Sequence, residues 1–162
     1  MLHCMNNNYY DLAEEDLSEA EDRLKVGKYN KCAYWCQQAG EKYLKYVLVN
    51  KLGITDDAAV SDHNLKRIYD RINRDGKKLA IPLAAMFALA NYYTKARYPG
   101  EGFVDVDSDT ASELLEHAKT IKTVVDNYLE SFPLEDELKL LASKFPKKGT
   151  SANSTSSDLN KK

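Results

Sequence analysis

An arginine and a tyrosine close an apolar helical run at Ala96-Arg97-Tyr98-Pro99-Gly100. Pro99 stops the helix, so Arg97 and Tyr98 set a cation and a phenol side by side at a fixed corner. An unpaired charge at a buried helix end is costly, so this corner is expected to hold an anionic group. That group is either a carboxylate of the protein, such as Glu41 or Asp16, or a ligand from outside. In an antiparallel bundle with these segment lengths, the end of this helix falls near Lys42 and Lys45 or near His63. Arginine, lysine and histidine gathered there suit phosphate oxygens, and Tyr98 suits stacking on a base or donation of a hydrogen bond. Arg97, Tyr98, Lys42, Lys45 and His63 are therefore the candidate site residues. Each also has a plain structural reading: an internal ion pair for Arg97, a packed corner for Tyr98, a helix cap or turn for His63, and surface lysines for Lys42 and Lys45.

The elements that must position these residues read as helices throughout, with no run of strand periodicity. Asn8 caps a first helix whose stripe is Tyr10, Ala13, Leu17, Ala20 and Leu24, and Gly27 ends it. After a very short turn a second helix runs from about Tyr29 to Lys51 and packs antiparallel to the first. Cys32, Ala33, Cys36, Gly40, Tyr43, Leu44 and Val47 form its inner face, while Gln37, Gln38, Glu41, Lys42 and Lys45 fall on or beside the outer one. Residues 54–62 read as a polar loop, and His63-Asn64-Leu65 opens a shorter third helix. The fourth helix begins near Pro82 and is apolar all round from Leu83 to Ala90, which places it at the centre or in a subunit interface. Ser108 or Asp109 caps a fifth helix that ends at Pro133, and a short amphipathic segment with Leu138, Leu141, Ala142 and Phe145 is expected to pack back on the bundle. The fold class is thus all-α: an up-down four-helix-type bundle with one or two extra short helices. One helical domain spans residues 1–146, and the polar tail 147–162 is expected to be disordered.

A chain of 162 residues supports one domain with a true core. The net charge of −2 speaks against wholesale nucleic-acid binding, but charge is unevenly spread. Asp11, Glu14, Glu15, Asp16, Glu19, Glu21 and Asp22 make the first helix acidic, and Lys66, Arg67, Arg71, Arg74, Lys77 and Lys78 make a middle segment basic. Such asymmetry either steers a partner or a phosphate, or marks two solvated faces. Cys32 and Cys36 lie one turn apart without a second ligand pair, which fits core thiols better than a zinc site. No segment has membrane-spanning length free of charges, and a cytoplasmic, reducing setting is expected.

The order of these signals resembles the HEPN domain family. The resemblance rests on Asp16-Leu17 and Ala20, on Leu24, Gly27 and Tyr29, on Gln37-Gln38-Ala39-Gly40-Glu41-Lys42-Tyr43-Leu44-Lys45, on His63-Asn64-Leu65, and on Ala96-Arg97-Tyr98-Pro99-Gly100. It covers roughly residues 9–130, and the second-helix and Arg-Tyr segments in that order are its most specific parts. The chain departs from the family at Ala39-Gly40-Glu41-Lys42, where Ala-Glu-Lys is usual, and at Asn64, where Asp is common. The resemblance implies a helical bundle that dimerises through its long helices. It also implies association with nucleotides or RNA, and frequent action beside a minimal nucleotidyltransferase, sometimes as a toxin–antitoxin pair.

Ribonucleases of the family carry an arginine followed, after four to six residues, by a histidine. Here the positions after Arg97 hold Gly102, Phe103 and Val104, and those after Arg23 hold Lys28, Tyr29 and Asn30. The only histidines are His3, His63 and His117, so the signature is absent. No Walker-type loop and no Glu-x-x-His di-iron pattern occur, and neither a metal nor a cofactor is expected. The sequence therefore points to a non-catalytic homodimer of this family. It is expected to bind a nucleotide or an RNA phosphate, with a minimal nucleotidyltransferase as partner. The alternatives are a metal-independent ribonuclease toxin with a degenerate motif, or a pure protein-interaction module.

Overall fold

The computed structural model describes residues 8–76, 78–96, 99–132 and 134–144. Seven α-helices occur among the described residues, with no strand: α1 (Tyr9–Lys25), α2 (Tyr29–Lys45), α3 (Asp57–Ser61), α4 (Leu65–Asp75), α5 (Leu83–Lys95), α6 (Ser108–Glu130) and α7 (Leu134–Lys144). This is the all-α bundle expected. Residues 145–162, which include the expected tail, and residues 1–7 lie outside the described part.

Local chemistry sets the helix ends. The Asn8 side chain accepts the Asp11 N–H at 2.9 Å and starts α1. Gly27, at a φ of 71°, ends it. Two bonds of a Schellman turn close there, from Gly27 N–H to Leu24 O and from Lys28 N–H to Arg23 O. Asn64 caps α4 through the Arg67 N–H, so His63 is not the cap. Asp107 rather than Ser108 or Asp109 caps α6, accepting the Thr110 N–H at 2.8 Å. Hydrogen bonding to Thr110 holds the Asp107 carboxyl below its ordinary pKa, because the charged form is the better acceptor.

Three features depart from the sequence reading. The second helix continues past Lys45 as a π-helical turn over Tyr46–Lys51, closed by Leu52 N–H to Val47 O. Residues 57–61 of the expected loop form α3. Leu138, Leu141 and Ala142 of α7 stay exposed rather than packing back, and Phe145 lies outside the described residues.

The central element is α2, which packs on α1, α4, α5 and α6. Its inner face buries Cys32, Ala33, Cys36, Ala39, Tyr43 and Leu44, with the two thiols 3.9 Å apart in the core. Gly40 permits the closest approach. A Cβ there would stand 3.2 Å from Ile121 Cδ1 and 3.3 Å from Leu89 Cδ1. The absence of a side chain thus lets α5 and α6 rest almost on the α2 backbone. A polar clamp joins α1, α2 and α6. Lys122 Nζ donates to Tyr10 Oη at 2.7 Å and to Glu14 at 2.6 Å, Tyr10 donates to Asp126 at 2.6 Å, and Tyr43 donates to Glu14. Burial first, then the Glu14 carboxylate, pushes the Tyr43 phenol well above its usual pKa.

Asn30 pins the α5–α6 connection to the start of α2. Its amide donates to Val104 O at 2.8 Å and to Ala96 O at 3.2 Å, and its oxygen accepts the Val106 N–H at 3.0 Å. Three partners lose their bonds at once in Asn30→Ala. The substitution is expected to lower unfolding stability in urea by about 2 kcal/mol and to speed amide exchange at Val106.

Candidate functional site

Gln37, Glu41 and Lys45 recur at steps of four along α2 and form one polar stripe. The structure corrects their expected outward placement: Gln37 is 1% exposed, and Glu41 and Lys45 are each 4% exposed. Glu41 lies at the centre. Its Oε1 faces Lys45 Nζ at 3.0 Å and His63 Nδ1 at 2.9 Å, and its Oε2 accepts from Gln37 Nε2 at 3.2 Å. Gln37 Oε1 in turn accepts from Gln38 Nε2 at 2.6 Å. The Lys45 ammonium also stands 6.0 Å from the centre of the Tyr9 ring, at the outer reach of a cation–π contact. Buried charges persist when they are paired and hydrogen-bonded, and this cluster meets both conditions.

The cluster decides the state of His63. A carboxylate can only accept here, so Nδ1 carries the proton and Nε2 is left for an incoming group. The ring is 62% exposed and stands at the edge of a cavity of about 530 Å³, lined also by Gln37, Ser61, Asn64 and Arg67. An adjoining hollow of about 320 Å³ is bordered by Arg67, Arg71 and Arg74. Its arginines are not bare. Arg67 pairs with Asp62 at 3.0 Å, Arg71 with Asp56 and with Asp75 at 3.2 Å, and Arg74 with Asp75 at 2.9 Å. The basic segment read from the sequence is thus interleaved with acids, and α4 presents paired charges rather than a strong positive field.

Of the five residues singled out by sequence, Lys45 and His63 come together through Glu41. Lys42 does not join them. It reaches across to Asp16 of α1, whose carboxyl is pushed above its ordinary pKa by burial, against the opposing pull of the lysine. Arg97 and Tyr98 lie outside the described residues. The two acids considered as partners for Arg97, Glu41 and Asp16, have the partners just named. Glu41, Gln37 and Arg67 were missed as site residues. A signal for the first two existed in their four-residue spacing, but such a stripe reads equally well as a solvated face. No group of three or more His, Cys, Asp or Glu residues able to hold a metal occurs among the described residues.

The described residues form an all-helical bundle. The model of the HEPN domain matches residues 7–128, and the chain belongs to this family. The fold is similar to the crystal structure of TT1696 from Thermus thermophilus. That similarity has a TM-score of 0.60 at 24% identity and covers 74% of this chain and 94% of that one. No curated protein matches the chain. None of the described helices is long and apolar enough to cross a membrane.

Removing Glu41 alone leaves the Lys45 ammonium buried without its carboxylate. Glu41→Ala is expected to cost about 3–5 kcal/mol in chemical denaturation, and the double change Glu41→Leu with Lys45→Met to recover most of that loss. A double variant as unstable as the single one contradicts the pairing.

Proposed function

We propose that this HEPN protein is non-catalytic and binds a nucleotide or an RNA phosphate on the flank of α2, as a homodimer working with a minimal nucleotidyltransferase in the cytoplasm. The observation that carries the reading is the Glu41–His63 bond at the mouth of the 530 Å³ cavity. A ring held by a buried carboxylate keeps its orientation before a ligand arrives, and the cavity volume lies in the range of small-molecule sites. Arg97 and Tyr98 complete the proposed site, with Lys45 acting from beneath through Glu41. Lys42 is retained only as a peripheral charge, because Asp16 holds it. The toxin–antitoxin setting follows from the family resemblance and not from the geometry.

The same bond favours a second reading. In the neutral state Nε2 is an acceptor on a carboxylate-oriented imidazole, the arrangement of a general base. A metal-independent ribonuclease would use it to take the proton of a ribose 2′-hydroxyl. RNA cleavage in chelator, abolished in His63→Ala, would establish that reading over the first.

The homodimer is supported by α5. Leu83 and Phe87, one turn apart, are 46% and 56% exposed. They lie on a helix with few polar residues, and apolar side chains clustered at a surface mark a contact face. Phe87→Lys is expected to convert a dimer to a monomer in sedimentation. A wild-type chain that sediments as a monomer contradicts the dimer.

Binding is tested by thermal shift of the wild type against ATP, GTP, short RNA and inorganic phosphate, with Arg97→Ala and His63→Ala alongside. The expected result is a ligand-specific rise in melting temperature that weakens with salt and is lost in both variants while they remain folded. No rise with any ligand, together with early melting of Arg97→Ala, makes Arg97 structural and leaves a pure interaction module.

A further inference from the structure

The second large cavity lies elsewhere on α2 and has different chemistry. It measures about 570 Å³ and is bordered by Glu19 and Arg23 of α1, by Lys31, Tyr34 and Trp35 of α2, and by Ala96. Asn30 also lines it. Because Asn30 binds Ala96 O, Val104 O and Val106 N–H, that wall is formed before any ligand enters.

Two features of the lining point to one ligand chemistry. First, Trp35 is the only tryptophan in the chain. It is partly buried and packs against the core. Tyr34 meets it edge to face, with ring centres 5.0 Å apart. An indole braced in this way offers a fixed apolar plane for a flat ring. Second, the charge is unbalanced. Arg23 is held by Glu19 through two nitrogens, the Nε at 2.7 Å, so that acid is neutralised where it stands. Lys31 is exposed and forms no ion pair among the described residues, which leaves one net positive charge beside the aromatic pair.

A flat ring next to an anion, in a cavity of this size, describes a nucleoside monophosphate. We infer that the cavity between α1, α2 and Ala96 is a nucleobase subsite, where Trp35 stacks on the base and Lys31 receives the phosphate. Arg23 lines the same cavity, and its pairing to Glu19 fixes where the guanidinium sits. The inference deepens the nucleotide-binding reading and rests on it. It assigns base recognition to the N-terminal end of α2. Asn30 lines this cavity and Gln37 lines the one beside His63. The two residues are two helical turns apart on one flank, a rise of about 10 Å along the helix.

The test uses the full chain and AMP, with adenosine and inorganic phosphate as controls. Trp35 fluorescence reports the cavity, and equilibrium dialysis reports binding anywhere on the protein. Expected is quenching by AMP that tracks the dialysis isotherm, with adenosine and phosphate each binding more weakly. Trp35→Leu is expected to weaken AMP about 10-fold or more in dialysis, on the scale of one stacked base. That variant loses some packing, so the decisive one is Lys31→Ala. Its side chain is exposed, its fold is expected to be unchanged by circular dichroism, and it should bind AMP more weakly and adenosine as before. AMP bound in dialysis without quenching, and with full affinity in Lys31→Ala, overturns the subsite while the nucleotide-binding reading stands. No AMP, ATP or RNA bound by either method overturns both.

Discussion

A carboxylate taken out of water must be surrounded by donors, and Glu41 meets that demand with three: Lys45, His63 and Gln37. The constraint reaches beyond the pair itself. Lys45 can lie inside the bundle only while Glu41 is there. His63 takes its orientation from the same oxygen and stands next to Asn64, whose side chain caps α4. The start of α4 is thereby tied to the middle of α2. The polar stripe sits on the one helix that packs against α1, α4, α5 and α6, so a disturbance at Glu41 is felt by most of the bundle. Gly40, the preceding residue in sequence, lets α5 and α6 approach the same turn closely.

The distribution of charge follows a similar logic. The acidic first helix does not present a bare negative face. Asp16 takes Lys42, Glu14 takes Lys122, Glu21 takes Lys119 and Glu19 takes Arg23. The basic helix α4 is likewise paired with Asp56, Asp62, Asp70 and Asp75. Of the two alternatives the sequence left open, long-range steering by opposed faces is the weaker, because opposite charges a few ångströms apart cancel at a distance. The proposed recognition rests instead on local features: an anchored imidazole, a lone lysine and a braced indole.

Much of the fold was legible in the residues. Asn8, Gly27 and Pro82 mark helix boundaries by their local chemistry, and the three-four spacing of Ala13, Leu17 and Ala20 or of Ala118, Ile121 and Val125 marks buried faces. The candidate site was less legible. Gln37, Glu41 and Lys45 have the spacing of a stripe, but polar side chains in a stripe read as solvated. What buries them includes His63, twenty-two residues from Glu41 in sequence. The π-helical turn at Tyr46–Lys51 and the short α3 depend on how the chain returns to α4, which no local preference encodes. Trp35 falls off the inner stripe of α2, and only the neighbouring Tyr34, Arg23 and Lys31 give it a setting.

The flank of α2 is the face proposed to meet a ligand. The direct measurement is a two-dimensional amide and indole NMR titration of the protein with ATP. Saturable shifts are expected to cluster on Gln37, Glu41, His63, Asn64 and Arg67. Shifts confined to the outer faces of α6 or α7, or no saturable shift at all, would contradict this assignment.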